Sequence, residues 1–469
     1  MAPRSVKLYV KLAAAACCQI AIQFTYSIAF SLTGPLFSEQ FKMDPTGVNI
    51  IFSLIGPLIG FFVQPIMGAV GDRCTFKFGR RRIFLVIGML IDVCGTVLIC
   101  LAAFFDDNQN KDASGETTIE DHLVGVFMGI LGIFVAFFGV NIMQAPSRAI
   151  VSDIFDAENQ QDANLMINAF CGMASVCCFV ISAFMATSNA NIYVMMFGIC
   201  TGVVVVATLP TVIFAKEQRY VPEEGEKTSV VQPFVDLFQA IKMINLDIVF
   251  ILLSLMLGWF AYQPMSTNFT VFVQNEIYPP EHKDDGLQMA MFIMAVFAIV
   301  QCISVVVFPF ITGIIGEITT FVLFQGLASI SYAMIIVIKF TFPQNLDDPA
   351  ADANYKSSIA LGFISVVFPA MAFVQTNSLP YSMLKKVVPE DRYGAFVGLL
   401  NCAVVVAQFL ASGLISLIQL FYEYYLVGFI IATIAALLCC IGSLVLFKVK
   451  TVDATDAEKQ KLVPKVEAI

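Results

Sequence analysis

Twelve long apolar runs, parted by polar connectors, order this chain from one end to the other. They cover approximately residues 9–37, 47–71, 82–105, 121–150, 163–186, 191–214, 244–273, 286–309, 316–340, 357–383, 391–417 and 422–448. A helix needs about 20 mostly apolar residues to cross a bilayer, and inside lipid the backbone must satisfy its own hydrogen bonds. The pattern predicts an all-α membrane protein with twelve transmembrane helices. Connectors are short except for the acidic 106–120 and 341–356 segments and the polar 215–243 segment, which divides the helices six and six. The expected organisation is an N-terminal six-helix bundle over 1–214, a cytoplasmic linker over 215–243, a C-terminal bundle over 244–448 and a cytoplasmic tail over 449–469. Gly68-x-x-Gly71-Asp72 closes the second run, and Gly313-x-x-Gly316-Glu317 follows the eighth, six helices later. The bundles are therefore expected to be pseudo-symmetric.

Composition agrees with a lipid environment. Hydrophobic residues make up 58% of the chain and charged ones 13%, against roughly 25% charged in a soluble domain. The net charge of −9 hides an uneven distribution. With both termini cytoplasmic, the inner segments hold 20 of the 26 Lys and Arg; the outer ones hold Lys42, Lys111, Lys283, Lys339 and Lys356, and Arg148 lies within helix 4. Positive residues favour the cytoplasmic side, so this asymmetry sets the orientation. Acids crowd the outer connectors instead, as in Asp106-Asp107 and Asp284-Asp285; the inner connection between helices 4 and 5 is an acidic exception. Twelve of the 13 cysteines lie in apolar runs, where they read as packing residues rather than a disulfide framework.

No enzyme site stands out. The two histidines, His122 and His282, fall in outer segments, and no glycine-rich phosphate loop or metal spacing occurs. No cofactor and no nucleic-acid partner are expected; the lipid bilayer is. Polar side chains inside apolar helices are costly unless they face a cavity or each other. Helix 4 carries Asn141, Gln144 and Arg148 on one face, and helix 1 carries Gln19, Gln23 and Tyr26. Helix 7 has Tyr262, Gln263, Ser266 and Asn268, and helix 10 has Gln375, Asn377 and Tyr381. Amides and hydroxyls donate and accept, which suits a ligand made of hydroxyl groups, and Phe24, Phe30 and Trp259 are placed to cover its apolar face. The plainer reading is that these groups tie helices together. Arg148 reads as a clamp on a substrate or a counter-charge for an acid; alternatively it snorkels toward water or pairs with Asp153. Asp92 lies ten residues past Arg82, about 15 Å into the membrane. It reads as a proton carrier or as a carboxyl bonded between helices.

The connector after helix 2, Gly68-Ala-Val-Gly71-Asp72-Arg73-Cys74-Thr-Phe-Lys77-Phe-Gly79-Arg80-Arg81-Arg82, packs five cations and one acid between two membrane runs. Asp72, Arg73, Arg80 and Arg81 are expected to latch a cytoplasmic gate; a topology signal alone is the simpler reading. The connector resembles the loop between helices 2 and 3 of the major facilitator superfamily. Its Asp-Arg-Cys-Thr-x-x-Phe-Gly-Arg-Arg-Arg spacing resembles that of plant sucrose/proton symporters and their animal relatives. Asn141-x-x-Gln144-Ala-Pro146-Ser-Arg148-Ala149, Asn168-Ala-Phe170 and Gly394-x-x-x-Gly398-x-x-Asn401 extend the likeness to helices 4, 5 and 11.

The resemblance implies a membrane sugar transporter for a disaccharide or glucoside. It would work by alternating access around a mid-membrane site, in the plasma membrane, with protons as a second solute. It also implies substrate contact at Arg148. Gln23, Tyr26, Asn141, Gln144, Asn168, Tyr262, Gln263, Ser266 and Asn377 complete the expected sugar site. Two family positions depart. The acid that precedes the helix 4 asparagine by four residues, thought to carry the proton, is Phe137 here. The helix 7 acids are replaced within Asn268-Phe269-Thr270-Val271-Phe272. Proton-coupled symport, with Asp92 as candidate carrier, therefore stands beside proton-independent facilitative carriage. A non-transporting sugar sensor is a further alternative.

Overall fold

A computed structural model describes residues 6–72, 74–110, 117–155, 160–188, 190–217, 235, 238, 240–343, 345–346, 352–388, 393–422 and 424–449. Twelve helices are long and apolar enough to cross a membrane: α1 (Leu8–Gln40), α2 (Pro45–Gly68), α3 (Arg82–Gln109), α4 (Ile119–Val151), α5 (Leu165–Ala186), α6 (Ile192–Phe214), α7 (Leu246–Thr267), α8 (Pro280–Ile315), α9 (Glu317–Thr341), α10 (Ala353–Val387), α11 (Phe396–Gln419) and α12 (Leu426–Lys448). No strand occurs among the described residues. The chain is an integral, multi-pass membrane protein. Large apolar side chains such as Phe127, Phe134, Val206 and Phe340 are exposed on its outside, as a lipid-facing surface requires. Most of the expected linker and tail lies outside the described residues.

Local chemistry sets several helix ends. Asn191 accepts from the backbone N–H groups of Tyr193 and Val194 to start α6, and Asn245 accepts from Ile248 to start α7; both satisfy donors that a helix start leaves open. Gly316, at φ +86°, separates α8 from α9. Proline marks breaks in three of the helices richest in internal polar groups. In α1, Pro35 leads into a π-helical turn, Leu36–Gln40. In α7, the helix stops at Thr267 below Pro264, and a short turn Phe269–Phe272 follows. In α10, helical segments end at Ser365 and Thr376, and Pro369 and Pro380 lie just inside the segments that follow. Pro removes a ladder donor and crowds the preceding turn. Discontinuous helices of this kind line sites at mid-membrane in transporters.

Packing repeats with a period of six helices. In the first bundle α1 packs on α5 and α6, α3 on α4 and α6, and α2 on α4; in the second, α7 packs on α11 and α12, α9 on α10 and α12, and α8 on α10. The bundles meet through α2 against α11 and α5 against α8, which is also a symmetric pairing. The tightest contact is α3 on α4. A Cβ on Gly95 would lie 2.2 Å from the Ala136 backbone nitrogen, and one on Gly139 2.4 Å from that of Asp92. Small residues here let two backbones touch, which drives helix association where lipid removes the hydrophobic force.

Among the described residues, the bundles are bridged at the end away from the Arg80–Arg82 connector. Glu39 pairs with Lys283 at 2.8 Å, Asn49 Nδ2 donates to Gln419 Oε1 at 2.8 Å, and Thr270 Oγ1 donates to the Ser31 carbonyl at 2.6 Å. Gln288 Nε2 donates to the Ala183 carbonyl at 3.1 Å.

Candidate binding site between the bundles

The inner face of α4 holds a chain of amides whose polarity can be traced from one fixed point. Asn141 Nδ2 donates to the Phe137 carbonyl at 2.8 Å. A carbonyl only accepts, so Asn141 turns its Oδ1 toward α2, where Gln64 Nε2 donates to it at 2.6 Å. The same Gln64 nitrogen donates to Gln144 Oε1 at 2.8 Å, and Tyr26 Oη donates to that oxygen at 3.0 Å. Two donors fill the two lone pairs of Gln144 Oε1. Its Nε2 is left as the group free to meet a ligand. Tyr26 stacks on Phe30 with ring centroids 6.0 Å apart, and Phe137 packs against both rings at 5.6 Å.

Arg148 extends this face by one further turn. Its side chain is exposed, within electrostatic reach of Tyr26 and Cys171, and it makes no hydrogen bond or ion pair among the described residues. The alternative of pairing with Asp153 fails, because that carboxylate is taken by Arg80 at 2.8 Å and Arg81 at 3.1 Å.

The second bundle contributes aromatic surface. Tyr262 stacks on Phe373 of α10 with centroids 3.7 Å apart, and Trp259 meets Phe373 edge-on at 5.0 Å. The Trp259 indole nitrogen is buried without a hydrogen-bond partner. Tyr262 also stacks on Phe297 of α8 at 6.1 Å, so the cluster is an aromatic wall built from three helices. Beyond it, the polar residues expected here bond to the protein itself. Gln263 is buried and donates to Ser412 of α11 at 3.2 Å, Ser266 donates to the Gln263 carbonyl at 2.8 Å, and exposed Asn377 caps the Phe373 carbonyl at 2.9 Å.

A model of the Major Facilitator Superfamily matches residues 15–381. The chain belongs to that superfamily. A sucrose transport protein of Oryza sativa subsp. japonica is 24% identical over 480 residues, covering 92% of this chain and 91% of that protein. A general alpha-glucoside permease of Schizosaccharomyces pombe is 24% identical over 300 residues, 60% of this chain; the match spans about half of the permease, 52%. Among solved structures, a bacterial homologue of the iron transporter ferroportin superposes with a TM-score of 0.66 at 14% identity, covering 94% of this chain and 99% of that one. A D-xylose-proton symporter gives 0.61 at 12% identity over 96% and 99%. These structures share the fold.

Within this superfamily member, the expected residues separate into three groups. Tyr26, Asn141 and Gln144 are joined into one network, with Arg148 beside it and Tyr262 on the aromatic wall. Gln64, not singled out in the sequence, is the hub of that network. Gln23 is held by Ser175 on α5 at 3.0 Å, and Asn168 is exposed on the α5 face that also carries Cys171 and Ser175. Asp92 makes no hydrogen bond to the network, although it lies within electrostatic reach of Tyr26: it is fully buried between α1, α3 and α6, where Thr25 donates to it at 3.0 Å and Cys200 adjoins Thr25 at 3.5 Å.

Two of the expected gate residues, Arg80 and Arg81, can be followed in the structure. Arg80 and Arg81 bind Asp153 at the end of α4, and Glu217 Oε1 accepts from the Arg81 backbone N–H at 2.7 Å. Asp153 belongs to the first bundle and Glu217 to the start of the 215–243 linker, so these contacts brace the base of that bundle. Gly79, at φ +136°, is required there, since a Cβ would lie 2.5 Å from Glu217 Oε1. Arg73 and the side chain of Asp72 lie outside the described residues. The second bundle repeats this brace with signs exchanged: Glu317, opening α9, takes Lys386 of α10 at 2.8 Å.

Proposed function

We propose that this protein carries a sugar, a disaccharide or glucoside, across a membrane by alternating access between its two six-helix bundles. One observation carries the reading: an oriented amide and tyrosine network with a free guanidinium on α4 stands in the same fold as the Trp259–Tyr262–Phe373 surface. Hydroxyl-rich ligands need multiple donors and an apolar face to lie on. The names of the sucrose and alpha-glucoside relatives support the same substrate class. The bridges among the described residues lie at the end away from the basic connector, which supports a state open toward the connector side. The Lys and Arg asymmetry makes that side, both termini, the 215–243 linker and the 449–469 tail cytoplasmic. The plasma membrane is the proposed location.

Coupling to protons is the first reading of the energetics, with Asp92 as carrier. A specific observation favours the second, facilitative carriage: Phe137 packs on Tyr26 and Phe30, Phe269 and Val271 are buried, and Asp92 is sealed against Thr25. Uptake of radiolabelled sucrose, maltose and glucose into proteoliposomes, with and without an imposed pH gradient, tests both. Saturable uptake supports sugar carriage, and stimulation by inward-directed protons supports symport. Failure of every sugar to enter or compete overturns the substrate class.

A further inference from the structure

The groups presented to the site are unbalanced in charge. Arg148 has no counter-charge among the described residues. Asp153 is held by Arg80 and Arg81, and Asp92 is enclosed behind Thr25. One turn before Asn141 on the same helix, the position nearest the network is filled by the ring of Phe137. The Phe137 carbonyl fixes Asn141, which fixes Gln64, which with Tyr26 saturates the oxygen of Gln144. That leaves the Gln144 amide N–H groups as donors beside the Arg148 guanidinium, with Gln64 Oε1 as the neutral acceptor left over by the same chain.

A site of this kind tolerates water while it is open. When the bundles close around it, a permanently charged guanidinium loses hydration, and without an opposite charge that step is unfavourable. A sugar hydroxyl returns part of the loss. A carboxylate returns more, because it supplies full charge and accepts two parallel N–H groups from the guanidinium fork.

We infer that the preferred cargo is an anionic sugar, a glycoside bearing a ring carboxylate of the uronate type, held with its carboxylate on Arg148 and its pyranose face toward Tyr262 and Trp259. This rests on the sugar carriage proposed above and names the substrate class of the same site. The cargo brings the negative charge that the described walls lack, and the loaded site approaches neutrality before it closes.

Two compounds that differ only at C6 test it: methyl β-D-glucoside and methyl β-D-glucuronide, the latter ionised near pH 7. Full-length protein in proteoliposomes, with the membrane potential clamped at zero by potassium and valinomycin, is assayed for initial uptake of each in labelled form. The glucuronide should enter about tenfold faster at low concentration, the scale of a charge-assisted pair against a neutral one. Arg148→Gln should bring the ratio to about one. Arg148→Lys, which keeps the charge and loses the fork, should retain an intermediate preference, and it keeps the test open if the glutamine variant fails to fold. Equal or faster entry of the glucoside, or a ratio unmoved by Arg148→Gln, overturns the anionic inference and leaves sugar carriage standing. Failure of both compounds together with sucrose, maltose and glucose overturns sugar carriage itself.

Discussion

Glu39 at the end of α1 and Lys283 at the start of α8 meet across the two bundles at 2.8 Å. Asn49 and Gln419 repeat the crossing at the same end of the molecule, also at 2.8 Å. Any motion that opens this end must break both. A partly exposed ion pair contributes about 0.2–1 kcal/mol, enough to bias a two-state equilibrium by up to about fivefold. Lys283→Ala should raise hydrogen exchange in the segments around 36–50 and 419–425, and the swap Glu39→Lys with Lys283→Glu should restore protection. Unchanged exchange in both would show that the pair does not hold this end closed.

Gln64 joins Asn141 and Gln144 across two helices. Gln64→Leu keeps much of the volume and removes the donor, so the buried Asn141 oxygen loses its partner, at about 1–3 kcal/mol for an unsatisfied group, and Gln144 keeps only Tyr26. Sugar affinity should fall by roughly tenfold or more, measured as the half-saturation of uptake. An unchanged value would remove Gln64 from the site.

The helix framework was legible in the sequence because each crossing needs its own long apolar run, and the count and approximate bounds followed from that alone. The partners of single polar residues were not. Gln64 has no polar neighbour one turn away on its own helix, so periodicity gives it no weight; its partners sit on α4. Asp92 was visible as an acid at mid-depth, yet depth does not say which face of α3 it occupies, and it points to Thr25. The basic connector revealed its charge without its partners, because Asp153 and Glu217 reach it from the ends of two later helices.

Gly139 should be among the least tolerant positions. A Cβ there would sit 2.4 Å from the Asp92 nitrogen and 2.7 Å from the Gly88 carbonyl oxygen, and neither backbone atom can yield cheaply. Gly139→Ala should destabilise by about 1–3 kcal/mol, read as a lower melting temperature in detergent. Gly198→Ala, where nothing lies within 4 Å of the added carbon, is the control. Equal melting of the two variants would contradict the packing of α3 on α4.

Glu276 gives a pH dependence with a definite sign. It lies beyond the end of α7, accepts from the backbone of Tyr425 and Leu426, and pairs with Lys339 at 3.1 Å. Burial raises its pKa above the ordinary 4.5, outweighing the attraction of Lys339. The folded state therefore holds a proton where the unfolded chain has lost it. The stability this group adds is complete below the ordinary value and is lost as pH rises through the folded one. The melting temperature should drop across that window in the wild type, and Glu276→Gln should remove that part of the drop.

The chain's single tryptophan, Trp259, stands on the aromatic wall of the proposed site, so its fluorescence reports on that place alone. Titrating purified protein with a sugar that it transports should give a saturable change in emission, with Arg148→Ala shifting the midpoint upward by at least tenfold, the scale of a lost charge-assisted contact. Emission that stays flat through concentrations saturating for uptake would place the cargo elsewhere and contradict the account.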